Sequence, residues 1–490
     1  MALSPGPRVA LLEEQFPSSS PDAILRIPWA LALKYDVLAY AFDDGTLSVI
    51  VPDASDQGTL DRIRDLTGFR VTAQSAPVHL IRRRLAEIYT ESAGGPRERE
   101  RGGDPPAIRS IDEIHAEALK ARASDIHIEP APGGGRIRHR VDGLLFEMRR
   151  MPHALFGQIV SRVKLLGGMD IADKRQPQDG RYTIESGEKI IDARVSSMPT
   201  IAGEKVVIRL LDTQSRVPTL ESLGMEAGVL TRFRALAHAP HGFVVVCGPT
   251  GSGKTTTVYS ALAERNTEAE HVCTIEDPVE LQIEGLAQVQ VNGKAGLTFA
   301  SALRSLLRQD PNVIMVGEMR DGETAQVGVS AALSGQLVMT TLHANDAPRT
   351  IERLTELGIR RHAISAALSC VLAQRLVRRL CAQCRRPVRI AQRDAGLFGI
   401  DGEAIVYQAV GCELCRNVGY RGRTGIFELL VVDDQVRAAI ASGEPAGSIE
   451  RLSSQSGYQP MTFDATRRVL TGDTSLEELR RVFSQRDALA

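Results

Sequence analysis

Aromatic residues, net charge and long apolar runs are all scarce in this sequence. Phe, Trp and Tyr make up 4% of the 490 residues, and 59 Lys and Arg against 60 Asp and Glu leave a formal net charge of −1. Without a basic excess or a base-stacking surface, we expect no direct nucleic-acid contact. No stretch approaches the roughly 18 apolar residues that a membrane span needs, and the N-terminus lacks a signal-peptide core. We therefore expect any membrane contact to be peripheral or through a partner.

The most informative motif is a phosphate-binding loop. Residues Gly248–Thr255 match the pattern G-x-x-x-x-G-K-[ST] at every fixed position, between a predicted strand (Phe243–Cys247) and a predicted helix (Thr256–Arg265). Such a loop points backbone N–H groups at phosphate, and the helix N-terminus adds positive potential. We predict that Lys254 reaches the β- and γ-phosphates and that Thr255 ligates Mg²⁺; the alternative is a Gly-rich turn with an incidental lysine. The predicted nucleotide contacts are Gly248, Pro249, Thr250, Gly251, Ser252, Gly253, Lys254, Thr255 and Thr256.

Three further predicted strands end in polar residues. Glu276 follows a short apolar run, Glu318 follows the apolar run that begins at Val313, and His343 follows another. In an open α/β sheet, the ends of parallel strands line the ligand crevice, and nucleotide hydrolysis needs carboxylates for Mg²⁺ and for water. The set therefore predicts a hydrolytic site, although a single strand-end carboxylate is often a helix cap and a lone His is often a core residue.

Four of the seven cysteines form two pairs, Cys381-x-x-Cys384 and Cys412-x-x-Cys415. Two such pairs brought together by a loop make a tetrahedral Zn²⁺ site. A redox dithiol or free thiols are the alternatives, although a redox pair needs no second copy. Because four thiolates leave no open coordination position, the zinc would fold a small module and take no part in catalysis.

Length and composition divide the chain into several units. Residues 91–106 are charged, rich in Gly and Pro and nearly free of apolar residues, which predicts a flexible linker. Helix and strand patterns from Ile111–Ala121 to Lys205–Leu211 predict an α+β domain after it. The predicted division is 1–90 for a small N-terminal domain, 91–106 for the linker, 107–220 for a second N-terminal domain, 221–375 for the ATPase core, 376–424 for the zinc module and 425–490 for a helical subdomain.

The order of these motifs resembles the secretion ATPase superfamily, whose members drive type II secretion, type IV pilus assembly and conjugation. GPTGSGKTTT resembles its Walker A motif, TIEDPVE its Asp box, LRQDPNVIMVGEMRD its Walker B motif and LVMTTLHANDA its His box. SDIHIEP, RHRVDG and QDGR resemble its second N-terminal domain. The paired CxxC motifs resemble the secretion and pilus-assembly branches, and the short N-terminal segment is most similar to the type II secretion ATPases, the GspE family.

The resemblance implies an α/β fold with a RecA-like P-loop core and a PAS-like second N-terminal domain. It implies binding of ATP with Mg²⁺, with Glu276 activating water, Glu318 acting on Mg²⁺ through water, and His343 sensing the γ-phosphate. Arg194 and Arg209 would close over the nucleotide as charge-neutralising arginines. The resemblance also implies a cytoplasmic homohexamer, peripheral to the bacterial inner membrane, whose N-terminal domain docks onto the cytoplasmic part of a membrane partner.

Three positions depart from the family pattern. Gln336 and Asn312 stand where the family often has His and Asp, and Ala344 stands where it often has Thr. We expect hydrolysis to persist because the loop lysine and both strand-end carboxylates are present, and we expect any effect to fall on the rate and on Mg²⁺ coordination.

A basic cluster flanks the first cysteine pair. Two interpretations stay open, a solvated face or a contact with an acidic partner or anionic lipid headgroups. The members of the cluster are Arg375, Arg378, Arg379, Arg385, Arg386 and Arg389.

The sequence thus predicts an ATPase that powers pseudopilus assembly and protein export in type II secretion. A type IV pilus extension motor is the nearest alternative, since only the N-terminal domain separates the two. Neutral charge and few aromatic residues disfavour a DNA-uptake or conjugation motor, and the presence of Glu276 disfavours a non-hydrolysing scaffold.

Overall fold

The computed structural model describes residues 17–85 with short gaps at 18, 25, 28–31, 33–34, 79 and 83, residues 106–211 except 188, and residues 217–390 and 404–483. The linker predicted over 91–106 lies outside the described residues, apart from Pro106, which begins a helix. Among the described helices, none is long and apolar enough to cross a membrane.

A three-stranded sheet forms the N-terminal unit. Its elements are α1 (Pro21–Ile24), β1 (Leu38–Asp43), β2 (Thr46–Val51), α2 (Gln57–Thr67) and β3 (Arg70–Ser75). Strand β2 pairs antiparallel with β1 and parallel with β3. Asp56 begins α2 as its N-cap, since its side chain accepts a hydrogen bond from the N–H of Thr59 at 3.2 Å.

The second unit is a six-stranded sheet with two helices. Its elements are α3 (Pro106–Ala121), β4 (Asp125–Ala131), β5 (Gly134–Val141), β6 (Leu144–Pro152), α4 (His153–Leu166), β7 (Gln178–Ser186), β8 (Lys189–Thr200) and β9 (Gly203–Leu211). The strand order is β6-β5-β4-β9-β8-β7, and every neighbouring pair is antiparallel. Alternate residues of β8, such as Ile191 and Ala193, enter the core formed with the helices, so the other face is the more exposed one. The α+β prediction for this segment is confirmed.

The third unit is a seven-stranded sheet with helices on both faces. Its elements are α5 (Ala227–Ala237), β10 (Gly242–Cys247), α6 (Lys254–Arg265), β11 (Val272–Glu276), β12 (Ala287–Gln290), α7 (Phe299–Leu306), β13 (Val313–Val316), α8 (Gly322–Leu333), β14 (Leu337–Leu342), α9 (Ala347–Glu356), α10 (Arg361–Ala367), β15 (Leu368–Leu380) and β18 (Tyr420–Val431), with short 3₁₀ turns between them. The order is β12-β11-β13-β14-β10-β15-β18, and only the β15–β18 pair is antiparallel.

Burial on both faces explains why the central strands are continuous apolar runs. Every residue of β10, β13 and β14 is buried. Successive residues of β10 enter different cores, Phe243 on one face of the sheet and Val244 on the other. A strand covered on both faces needs no polar alternation, so the sequence predicted these strands correctly.

The cysteine pairs lie on or beside the segment that connects β15 to β18, outside this sheet. Between β15 and β18 the chain forms a small hairpin of β16 (Arg386–Arg389) and β17 (Ile405–Gln408). The boundary predicted between 375 and 376 falls inside β15, because that strand continues the core sheet to Leu380. Four helices follow in the segment predicted as a helical subdomain: α11 (Asp434–Ser442), α12 (Ala446–Gln455), α13 (Met461–Leu470) and α14 (Leu476–Val482).

Candidate active site

The phosphate-loop motif lies between β10 and α6, at the carboxyl edge of the parallel strands. Gly248, Gly251 and Gly253 have φ angles of 149°, 76° and 87°, a range that L side chains rarely adopt. A Cβ on Gly248 would stand 2.4 Å from the carbonyl oxygen of Gln374. The fold therefore requires glycine here, and it brings the loop to the N-terminus of α6, where backbone N–H groups favour an anion.

Polar groups in the loop are arranged to receive phosphate. The side chain of Lys254 is folded into the loop, where Nζ donates hydrogen bonds to the carbonyl oxygens of Gly248 (2.9 Å) and Pro249 (3.1 Å). Desolvation lowers the pKa of Lys254, an effect opposed by nearby Cys247 and Glu318. The hydroxyl of Ser252 is buried without a hydrogen-bond partner among the described residues. A buried cation and an unpartnered hydroxyl at a helix N-terminus fit a polyphosphate anion.

A glutamine from β15 fixes the shape of this loop. The side-chain amide of Gln374 donates to the carbonyl oxygen of Ser252 at 2.6 Å, and its oxygen accepts from the hydroxyl of Thr257 at 2.7 Å. Gln374 is buried, and it stands 122 residues from Ser252 in the chain. Gln374 was not predicted from the sequence, because no local pattern indicates which strand lies beside the loop.

Glu276 lies buried at the carboxyl end of β11. Its Oε1 accepts hydrogen bonds from the hydroxyl of Thr274 (2.6 Å) and the amide of Gln288 (3.2 Å), and its Oε2 accepts from the hydroxyl of Tyr259. None of these three donors was predicted from the sequence. Thr274 stands two residues before Glu276 on the same strand, and this spacing puts both side chains on one face; Tyr259 and Gln288 carry no such signal.

The other two polar strand ends also meet. Oε2 of Glu318 lies 3.8 Å from Nε2 of His343, and Oε1 pairs with the guanidinium of Arg320. Desolvation and the charge of Lys254 lower the pKa of His343, whereas Glu318 acts in the opposite direction. The loop lysine, the Walker B carboxylate and the His-box imidazole are thus electrostatic neighbours, and Arg320 is an addition that sequence analysis did not name.

Both predicted arginines of the second unit face this edge of the core. Nη2 of Arg194 donates to the carbonyl oxygen of Val279 at 3.2 Å. The next residue, Glu280, is exposed as a whole residue. Protein packed around its carboxylate nevertheless removes part of the water from that group. Desolvation and Glu276 raise the pKa of Glu280, and Arg194 and Arg209 both oppose that rise. The two arginines therefore act on the segment that directly follows the β11 carboxylate.

The four paired cysteines converge on one point. Their Sγ atoms all lie within 4.8 Å of one another, with Cys381 and Cys412 at 3.8 Å and Cys384 and Cys415 at 3.8 Å. Zn–S bonds of about 2.3 Å in a tetrahedron require S–S separations of about 3.8 Å. Backbone N–H groups of Gly411 and Gly419 donate to the sulfurs of Cys384 and Cys415, which favours thiolates. The cluster therefore fits zinc, whereas Cys247, Cys273 and Cys370 are buried elsewhere.

Comparison with known proteins agrees with this arrangement. Residues 100–481 match the family model described as type II/IV secretion system protein, and residues 8–95 match the MshEN domain. The chain belongs to the type II/IV secretion system protein family. It is 48% identical over 381 residues to type II secretion system protein E of Dickeya dadantii, which covers 77% of this chain and 76% of that protein.

A second relative is the type IV pilus assembly ATPase PilB of Myxococcus xanthus. The identity is 39% over 489 residues, covering 94% of this chain and 86% of that protein. Among solved structures, the ATPase DotB of Legionella pneumophila shares the fold with a TM-score of 0.58 at 24% sequence identity, covering 76% of this chain and 94% of that chain. The predicted RecA-like α/β fold is confirmed, and this member of the family is an ATP-hydrolysing enzyme.

Two departures from the family pattern lie away from the phosphate loop. Asn312 and Gln336 immediately precede β13 and β14, so they stand at the amino edge of the parallel strands, opposite the loop. Asn312 Oδ1 accepts from the N–H of His271 at 2.7 Å and joins two strand starts. Because Asn312 and Gln336 lie on the edge of the sheet opposite the phosphate loop, their positions do not support the expected effect on Mg²⁺ coordination. Ala344 follows His343 directly at the carboxyl edge.

The basic cluster beside Cys381 is not one surface. Arg378 is buried, and its Nε and Nη2 donate to Glu478 of α14 at 2.9 and 2.7 Å. Arg375 is also buried, and Arg385 stacks on Tyr407. The interpretation of the whole cluster as a solvated face is wrong, because half of it binds the C-terminal helices or packs within the module. The exposed members are Arg379, Arg386 and Arg389.

Proposed function

We propose that this chain powers pseudopilus assembly and protein export in a type II secretion system. The observation that carries the proposal is the placement of Glu276, Glu318 and His343 at or just past the carboxyl ends of strands in one sheet, at the edge where the phosphate loop lies. The 48% identity to a type II secretion system protein E supports the assignment to this machinery. The working form is a homohexamer in the cytoplasm, held at the inner membrane through residues 1–90, which dock onto the cytoplasmic domain of a secretion-platform protein.

In the proposed mechanism, water attacks the γ-phosphorus of ATP, the bond to the β-phosphate oxygen breaks, and ADP leaves. Glu276 orients the water and accepts its proton, while Lys254 and the N–H groups of α6 hold the phosphates. Bound Mg²⁺ would neutralise phosphate charge, and Thr255 and Glu318 are the groups that would hold it. His343 contacts the γ-phosphate.

Arg194 and Arg209 supply positive charge from outside the core. Both belong to the second unit, and Arg194 already contacts the segment after Glu276. Movement of that unit toward the loop therefore completes the site, so that closure and hydrolysis are coupled.

The remaining parts of the chain support assembly. Four thiolates from Cys381, Cys384, Cys412 and Cys415 hold Zn²⁺ and fold the excursion between β15 and β18. The exposed Arg379 and Arg386 beside them would contact acidic phospholipid headgroups. The proposed functional parts are residues 1–90, 91–106, 107–220, 221–375, 376–424 and 425–490. Strands β15 and β18 of the core sheet cross the boundaries after 375 and after 424.

A type IV pilus assembly ATPase is the second candidate. It is favoured by the match to PilB, which extends over 94% of the chain and so includes N-terminal residues. Deletion of this protein in its host separates the two. Loss of exported proteins from the medium with normal surface pili supports the secretion assignment, whereas loss of pili with normal export supports the alternative.

A further inference from the structure

Tyr259 joins two parts of the active site that are separate in the sequence. It stands on α6 four residues after Thr255, so both side chains project from one side of the helix. The residue is buried, and its hydroxyl donates a hydrogen bond to Oε2 of Glu276. The backbone N–H groups of Glu280 and Leu281 lie close enough to the same hydroxyl to lower its pKa. One phenol therefore links the helix that begins at the phosphate loop to β11 and to the segment after it.

The phenol is held in its neutral form. Burial raises the pKa of Tyr259, and the hydrogen bond to Glu276 raises it further, which outweighs the backbone N–H groups. A neutral phenol keeps its proton for donation at physiological pH.

The hydrogen bonds to Glu276 divide unequally between its two oxygens. Thr274 and Gln288 both bind Oε1, whereas the bond to Oε2 comes from Tyr259. Donors on both oxygens fix the rotation of the carboxylate. Since misplacement of a reacting group by 1 Å can cost about 100-fold in rate, the orientation given by Tyr259 bears directly on hydrolysis.

We propose that Tyr259 is a positioning residue for ATP hydrolysis, which holds the Glu276 carboxylate at a fixed place relative to Thr255. The metal-binding hydroxyl and the residue that fixes the general base then belong to one rigid helix, so their separation does not depend on loop movement. This inference rests on the proposed role of Glu276.

The test uses the full chain fused to a hexamer-forming protein, as wild type, Tyr259→Phe, Glu276→Gln and the double variant. Tyr182→Phe is the matched control, because its hydroxyl also bonds to one side chain among the described residues, His115 at 2.7 Å, but lies in the second unit. We expect Tyr259→Phe to lower kcat by about 10- to 100-fold while the Kd for ATP changes less than about 2-fold. The acid limb of the pH profile of kcat moves to higher pH, because the carboxylate loses a donor that stabilises its ionised form. We expect Tyr182→Phe to change neither kcat nor its pH profile. The double variant should have the same kcat as Glu276→Gln alone.

Unchanged kcat and pH profile in Tyr259→Phe, with Glu276→Gln inactive, overturns the inference and leaves the proposed function intact. Full turnover by Glu276→Gln overturns both. If Tyr259→Phe melts well below wild type, 3-fluorotyrosine at position 259 provides the decisive measurement. This more acidic phenol is a stronger donor, so the acid limb shifts to lower pH if Tyr259 acts on Glu276, and an unshifted limb overturns the inference.

Discussion

Nε of Arg209 donates a hydrogen bond to Oδ1 of Asp125 at 3.0 Å. The two side chains differ in exposure, with Asp125 at 7% and Arg209 at 67%. The bond uses the Nε–H, one of the five guanidinium donors. Asp125 therefore holds the guanidinium in place while its other N–H groups stay available for a further contact. Asp125 thus presents Arg209 on the same face of the sheet as its cross-strand neighbour Arg194, which contacts Val279.

Substitution Asp125→Asn should disturb this presentation. We expect kcat to fall by roughly 3- to 10-fold, because an ion pair whose arginine is largely exposed is weak, whereas the orientation of that arginine enters the rate directly. ATP affinity should hold, since the loop is untouched. Steady-state ATP turnover of the chain fused to a hexamer-forming protein measures the effect. Glu147→Gln is the control, because Glu147 pairs with Arg150 at 2.7 Å on the same sheet; equal losses in both variants would refute the specific role of Asp125.

Removal of the arginines themselves should be more severe. Arg194→Ala and Arg209→Ala are each expected to reduce kcat at least about 100-fold, since arginines that neutralise a transferring phosphoryl group are worth about 10³ or more. Binding of a fluorescent ATP analogue should persist in both. Arg150→Ala removes a comparable exposed charge and should stay near wild type. Wild-type turnover in either of the first two variants would remove that arginine from the mechanism.

Local patterns explain what the sequence predicted well. The phosphate loop, the buried strands and the cysteine pairs are encoded in contiguous residues, because glycine geometry, two-sided burial and ligand spacing act over a few positions. Gln374 and Tyr259 were missed because their roles depend on which strand or helix lies beside them. Arg378 was misinterpreted for the same reason, since its partner Glu478 is 100 residues away.

Zinc content provides an independent test of the cysteine cluster. The purified chain should hold about one Zn²⁺, and Cys412→Ser should lose it and melt at a lower temperature, because structural zinc contributes directly to folding. Cys370→Ala, which removes a buried thiol outside the cluster, should keep its metal. Metal analysis together with thermal melting measures both. A full zinc complement in Cys412→Ser would show that the metal is held elsewhere.

Glu428 should make stability depend on pH. Its carboxylate accepts from the N–H groups of Ala347 (2.6 Å) and Met461 (2.7 Å) at the starts of two helices, and desolvation raises its pKa from 4.5 to about 7. The folded state therefore binds this proton more tightly than the unfolded state. The stabilisation is complete below about pH 4.5 and is lost as pH rises through 7, amounting to about 3 kcal/mol.

Urea unfolding of wild type and Glu428→Gln at pH 5 and pH 8 measures this contribution. We expect wild type to lose more stability than the variant between the two pH values, because the amide does not titrate. Equal losses would show that Glu428 does not carry the pH dependence.

The most direct test of the account is ATP turnover of wild type and Glu276→Gln, each fused to a hexamer-forming protein. We expect clear turnover in wild type and a loss of at least about 100-fold in the variant, with ATP binding retained, because general-base catalysis is removed while the phosphate loop is unchanged. Equal turnover in the two proteins would contradict the assignment of Glu276 as the residue that activates water.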